Sequence, residues 1–193
     1  MRTPRPLLST TALAAAVFAL PALLRKRGTD RRDDDAFYDG LSTPTWAPPP
    51  WAFPVAWAIN TAALAWAAQR LYRDRALPRR GELLGLLAVH TALYATFGRV
   101  YFGERSPVLA AGWTAADLAV CHLAFYRALA VDPPAAAAFV PVNLWLTLAL
   151  PLSLHQAAAN RDPFFGTAGV EVGEIVAGAL GVTPIPARPA ARP

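Results

Sequence analysis

Two kinds of side chain in this sequence could do chemistry, and both stand in or beside long apolar runs. The first is a concentration of rings. Residues 41–57 read LSTPTWAPPPWAFPVAW, three tryptophans and five prolines in seventeen residues. Pro48-Pro49-Pro50 removes three backbone N–H donors, so non-helical backbone there forfeits fewer hydrogen bonds on leaving water. Trp46, Trp51 and Trp57 can hold ring and N–H in different environments. Two readings follow: an aromatic belt at the level of lipid headgroups, or a loop folded over helix ends as the lid of an apolar pocket. A belt accounts for the rings but not for the prolines. The second kind is the isolated polar group. His90, Tyr94 and Tyr101 share a helical face at spacings of four and seven, and Asn143, Thr147, Pro151 and His155 form a similar line. Asp117 and His122, five residues apart, do not face the same way. An ionisable group in an apolar span is costly and points to a cavity or a partner. Asp117 is therefore expected to pair with a polar group between helices, His90 to bond a neighbouring helix, and His155 to lie at an interface. No metal-ligand spacing, Ser/His/Asp set or phosphate loop appears, so neither a metal site nor a catalytic set is assigned.

The elements that must position these groups are apolar and long. The chain has 193 residues, 55% hydrophobic and 16% charged, with positive mean hydropathy. Residues 7–24, 40–69 and 133–160 carry no formal charge, 83–98 has only His90, and 106–126 only Asp117 and His122. A bilayer core takes about 20 helical residues to cross. The reading is all-α: a five-helix transmembrane domain over residues 1–162, with helices near 7–24, 52–71, 83–102, 107–129 and 135–157. A soluble bundle would show charged outer helix faces, and these helices do not. Residues 163–193 are expected to be a mostly disordered tail. Of the long first loop, 25–51, the charged opening is expected to be disordered and the aromatic close ordered.

The charge of +5 comes almost wholly from arginine, clustered in 25–32 and 70–80 beside helix ends. There it meets anionic headgroups; nucleic acid is excluded as a partner because no basic helix or aromatic platform accompanies it. Arg2 and Arg5 before an apolar stretch suit a cleaved leader, but no small-x-small site precedes Leu23-Leu24-Arg25, so the first helix is read as retained. Cys121, the single cysteine, is read as a small packing residue. Ala88-xxx-Ala92-xxx-Thr96 and Gly112-xxx-Ala116 permit close helix contacts and, with them, a homodimer. Arginine over lysine and heavy alanine use suggest a bacterial plasma membrane.

One stretch carries a family resemblance. Phe37-Tyr38-Asp39-Gly40-Leu41-x-x-Pro44-x-Trp46-x-Pro48-Pro49-x-Trp51 resembles the signature of the tryptophan-rich sensory protein/translocator protein family (TspO/MBR, the peripheral benzodiazepine receptor family), with Phe37 in place of its first tryptophan. Pro54-x-x-Trp57 follows at the family spacing. Tyr101-Phe102-Gly103 resembles the family's Phe-Phe-Gly, and Pro141-x-x-x-Trp145 its Pro-Tyr-x-x-Trp. Tyr94, Phe97, Arg99 and Thr61 depart from the pattern, as does the run 150–155, so the chain resembles a divergent member.

The resemblance implies a five-helix fold with a pocket beneath the first loop, taking porphyrins and other flat apolar ligands. Trp51 and Trp145 match the two tryptophans most associated with lining and porphyrin chemistry. Tyr38, Trp46, Pro48, Pro49 and Phe53 would shape the lid, and Trp57 would line the pocket. His90, with Tyr94 on its face, would ligate haem iron or bond a propionate. No cofactor is required; porphyrin or haem enters as ligand, and lipids are the remaining partner. Sterol binding is not carried over, because its tyrosine is missing near the end of the fifth helix. The role implied is sensor, carrier or regulator. Alternatives are a light-dependent porphyrin-degrading enzyme with Trp51 and Trp145 as reactive rings, and a partner-regulating membrane protein with a vestigial pocket.

Overall fold

Long stretches without charge leave the backbone to satisfy its own polar groups, and the helix does so within one segment. The computed structural model describes residues 10–24 and 31–167, and among them the chain is helical with no strand. The elements are α1 (Thr10–Leu23), α2 (Arg31–Asp39), α3 (Ala52–Arg73), α4 (Arg80–Gly98) continued by a π-helical turn (Arg99–Gly103), α5 (Pro107–Leu129), α6 (Pro133–Ala137) and α7 (Val140–Ala159). Proline in the first turn marks the starts of α5, α6 and α7, where its missing N–H costs nothing. Ser106 and Asp132 cap α5 and α6, accepting from the Leu109 and Ala135 amides.

Three stretches are long and apolar enough to cross a membrane: Arg80–Gly103, Pro107–Leu129 and Pro133–Ala159. Large apolar side chains lie exposed along the helices, among them Val55, Ile59, Val89, Leu123, Leu144 and Leu148. Such a surface is unfavourable in water and suited to lipid. α5 packs most extensively against α7 and then α4, while α1 lies on α3 and α4.

The two ends of the bundle are built differently. At one end Leu64, Leu71, Leu83 and Leu87 close on Cys121, Ala124, Ala128, Ala135, Ala136 and Phe139 as a dense core. Alanine there lets helix backbones approach closely. At the other end the facing residues of the same helices are rings, and the helices stand apart.

Polar side chains join the helices. Thr10 donates to Gln69 Oε1 (2.9 Å) and Arg70 Nε to Asp132 Oδ2 (2.7 Å). Beyond α7, the carboxylate of the fully buried Asp162 accepts from Ser106 Oγ (2.6 Å), from the amide of Val108 (2.9 Å), and from the amides of Phe164 (3.0 Å) and Phe165 (3.1 Å). One acidic group thus caps α5, where the helix dipole favours it, and closes its own turn.

Several expectations change. The charged opening of the first loop is not wholly disordered, since residues 31–39 form α2. Asp33 and Asp34 sit in its first turn, favoured by the dipole. Phe37 packs edge-on against Tyr101 (5.6 Å) and Phe102 (6.4 Å); residues 25–30 lie outside the described residues. The fifth expected helix is interrupted: α6 ends at Ala137 and α7 starts at Val140, with Pro141 in its first turn. The tail opens with a turn closed by an Asp162–Thr167 bridge, and residues 168–193 lie outside the described residues.

Replacing Asp162 by alanine strands the Ser106 hydroxyl and the Val108 amide. A loss of about 1–3 kcal/mol is expected, read as a lower midpoint of thermal unfolding in detergent. An unchanged midpoint would show that the capping carboxylate adds nothing.

Candidate functional site

The ring-bearing end encloses a cavity of about 730 Å³. Its walls follow from helical spacing. α3 contributes Phe53, Pro54 and Trp57, one face at intervals of three and four. α4 contributes Leu93, Tyr94, Phe97 and Gly98, and the π-helical turn adds Tyr101 and Phe102. From α7 come Trp145, Leu146, Ala149, Leu152, Ser153 and Gln156, and from α5 Trp113, Thr114 and Asp117. Phe18 and Pro21 of α1 close one side. Asp35, Tyr38 and Asp39 of α2, with Pro50, close another.

The rings touch mainly by their edges. Tyr38 meets Phe53 at 6.0 Å, and Phe53 meets Trp145 at 5.3 Å with the planes perpendicular (90°). Trp57, one turn beyond Phe53 on α3, lies 4.6 Å from Tyr94 of α4, tilted by 38°. Edge contacts hold ring faces apart and leave them free to stack on something flat. Burial and the adjacent Asp39 carboxylate push the Tyr38 phenol above its ordinary pKa, so it stays a neutral hydrogen-bonding group.

Polar groups come from α5 and α7, from Tyr101 of the π-helical turn, and from Asp35, Tyr38 and Asp39 of α2. Tyr101 donates to Gln156 Oε1 (2.8 Å), and the buried amide nitrogen of Gln156 has no partner. The hydroxyls of Thr114 and Ser153 meet at 3.3 Å. Asp117 Oδ1 lies 2.7 Å from His90 Nδ1, the interhelical pairing expected of both residues.

Of the residues singled out in the sequence, Tyr38, Phe53, Trp57, Tyr94 and Trp145 line the cavity. Trp46, Pro48, Pro49 and Trp51 do not: Trp46 is 50% and Trp51 69% exposed. Trp51 already has helical dihedrals (φ −67°, ψ −22°). That places it about 200° around the helix from Phe53, so the two rings cannot face the same way. His90 stands behind the wall, stacked against Trp57 (6.4 Å) and Tyr94 (6.5 Å), and is not among the lining residues.

Sequence reasoning missed Ser153 and Gln156. It followed the line of Asn143, Thr147, Pro151 and His155, which runs on another face. There Asn143 Nδ2 donates to the Cys121 carbonyl (3.2 Å), and Thr147 donates to the Asn143 carbonyl (2.7 Å). The useful signal was Trp145 itself: positions four, eight and eleven beyond it, Ala149, Ser153 and Gln156, share its face.

The aromatic connection is fastened to the far end of α7. Asn160 Oδ1 accepts from the Ser42 amide (2.7 Å), and its Nδ2 donates to the Ser42 carbonyl (3.1 Å).

Comparison with known proteins agrees with this geometry. The TspO/MBR family profile matches residues 10–158. The tryptophan-rich sensory protein of Cereibacter sphaeroides is 28% identical over 126 residues, 65% of this chain and 78% of that protein. Protein CrtK of Rhodobacter capsulatus is 33% identical over 122 residues, 59% of this chain and 72% of the relative. The translocator protein of Ovis aries is 28% identical over 131 residues, 65% and 75% of the two chains.

Asn160→Ala deletes the two hydrogen bonds to Ser42 and a third from Nδ2 to the Gln156 carbonyl (2.9 Å), worth about 1 kcal/mol each. Amide hydrogen exchange over residues 41–51 is expected to quicken about tenfold or more, with the global unfolding midpoint moving less. Equal protection in the variant would mean that the connection is held by its rings alone.

Proposed function

This chain belongs to the TspO/MBR family of membrane proteins, and we propose that its cavity binds a flat, largely apolar ligand of the tetrapyrrole class as part of a sensing, carrying or regulatory role. The observation that carries the reading is the 730 Å³ chamber lined by Tyr38, Phe53, Trp57, Tyr94, Phe97 and Trp145, with a limited set of polar side chains among them. Small-molecule sites commonly occupy about 300–1,000 Å³ and combine apolar lining with a few placed polar groups. The unpartnered Gln156 amide supplies a donor for a ligand carboxylate or carbonyl. Leaving such a group unmet costs about 1–3 kcal/mol, which a bound acceptor recovers.

We read the chain as five spans. α4 with its π-helical turn, α5, and α6 with α7 supply the three long apolar stretches. α3, with 22 residues, reaches about 33 Å, enough for a bilayer core. α1 is the apolar fifth. On this reading α2 and the proline connection act as the lid, with Tyr38 and Pro50 rather than Trp46 and Trp51 on its inner side. A bacterial plasma membrane is the setting that the composition favours. The oxidative alternative used Trp51 and Trp145 together, and the exposure of Trp51 lends it no support.

Titration of the detergent-purified chain with protoporphyrin IX is expected to quench tryptophan fluorescence saturably. Loss of one stacking ring in Trp57→Ala should weaken binding about tenfold, while Trp51→Ala should stay within about twofold. Quenching without saturation, or binding that depends on Trp51 and not on Trp57, would refute the cavity as the site. Gln156→Leu should weaken a porphyrin with free carboxylates more than the corresponding diester, since only the former presents a charged acceptor to the amide; equal losses would remove Gln156 from recognition.

A further inference from the structure

Behind the aromatic wall, two helices bring three electron-pair donors to one point. Asp117 and Cys121 lie one turn apart on α5, and His90 faces them from α4. His90 Nδ1 is 2.7 Å from Asp117 Oδ1 and 3.3 Å from Cys121 Sγ, and that sulfur is 3.8 Å from the same carboxylate oxygen. All three side chains are buried. We propose that His90, Asp117 and Cys121 form a binding site for a borderline divalent transition metal of the zinc class, a property separate from ligand binding in the cavity.

Three observations support this. First, the spacing suits coordination. Imidazole nitrogen, carboxylate oxygen and thiolate sulfur at the bond lengths usual for zinc stand about 3.3–3.6 Å apart on a tetrahedron; the sulfur lies near that distance from both partners, at 3.3 and 3.8 Å, and the hydrogen-bonded nitrogen–oxygen pair at 2.7 Å must open as the ion replaces the proton between them. Second, the charges cancel. A divalent ion with one thiolate, one carboxylate and a neutral imidazole is electrically neutral, the condition under which charge is tolerable in an apolar interior. On binding, the thiol proton leaves to solvent, and the proton that Nδ1 shares with Asp117 Oδ1 in the metal-free chain is displaced, the neutral imidazole then carrying its proton on Nε2 so that Nδ1 coordinates. Third, the ligands are supported and reachable. Trp57 and Tyr94 stack on the His90 ring, and Asn143 Nδ2 bonds the Cys121 carbonyl at 3.2 Å. Asp117 lines the cavity, which gives an ion its way in and leaves the remaining coordination position to water or a donor in the chamber.

The same three residue types suggest a cysteine nucleophile, but the geometry opposes it. In such a triad the carboxylate holds one ring nitrogen while the other takes the thiol proton. Here thiol and carboxylate approach the same nitrogen. A purely structural His90–Asp117 hydrogen bond would account for that pair and leaves the convergence of the sulfur unexplained.

The test uses the full chain in detergent, stripped with a chelator and titrated with Co²⁺ alone. Cys121 is the single cysteine, so a thiolate-to-cobalt charge-transfer band in the near ultraviolet reports this site and no other. The proposal requires that band to saturate at one equivalent, together with intense tetrahedral ligand-field bands, and to disappear on adding Zn²⁺. Asp117→Asn and His90→Phe, the latter keeping a ring against Trp57 and Tyr94, should each weaken Co²⁺ at least about tenfold. Cys121→Ser should abolish the charge-transfer band. Absence of the band in the unmodified chain overturns the site whether or not the variants fold. So does a band that persists at full affinity in both the Asp117 and His90 variants, since the thiol would then bind metal without them.

Discussion

In a bundle walled by apolar side chains little water reaches an inward-facing polar group, so most such groups are bonded inside the bundle, many of them to another helix, and the Gln156 amide nitrogen is left facing the chamber. That constraint sets the arrangement of this molecule. Thr10 with Gln69 joins α1 to α3, Tyr94 with the Phe18 carbonyl joins α4 to α1, and His90 with Asp117 joins α4 to α5. Thr114 with Ser153 fixes α5 against α7, Tyr101 with Gln156 ties the π-helical turn to α7, and Asp162 returns the chain to the start of α5. Polar bonds of this kind contribute modestly to net stability. Their effect here is on register, because a one-residue rotation of any helix would bury several unmet groups together.

The cavity follows from a difference in side-chain size along the same helices. Toward one end α5 and the residues leading into α7 present alanine, and the backbones close on Leu71, Leu83 and Phe139. Toward the other, α3, α4 and α7 present Phe53, Trp57, Tyr94, Phe97 and Trp145, whose rings line the cavity; Phe53 meets Trp145 edge-on, and Trp57 meets Tyr94 at a tilt of 38°. His90, Asp117 and Cys121 lie where the two regimes meet.

The first connection shows how far local sequence can be trusted. Its prolines and rings did announce ordered backbone, and Asn160 holds that backbone 118 residues away in the chain. They did not announce which rings face inward. Tyr38 and Pro50 line the chamber, and Trp46 and Trp51, the more prominent residues of the pattern, remain exposed. Inward facing is decided by where α3 begins its turn, and proline-rich sequence fixes that start only to within a residue or two.

By itself the sequence determined an all-helical membrane protein, the extents of α3 and α5 almost to the residue, the TspO/MBR family, and a set of ring positions of which Phe53, Trp57, Tyr94 and Trp145 meet at the cavity. The helices are consequences of hydropathy and periodicity, which act within one segment and can be read in order; the family and the ring positions come from the resemblance carried by the motif at 37–51 and the shorter motifs after it. Only the tertiary structure decided that α2 forms from a charge run, since its Phe37 is anchored by Tyr101 and Phe102 from α4's extension. It alone turned the face of α7 that Trp145 shares with Ser153 and Gln156 toward the chamber, and it alone brought His90 onto the pair Asp117 and Cys121. Each of those outcomes depends on the rotation of one helix relative to another. That angle is set by packing between residues far apart in the chain, which no local spacing encodes.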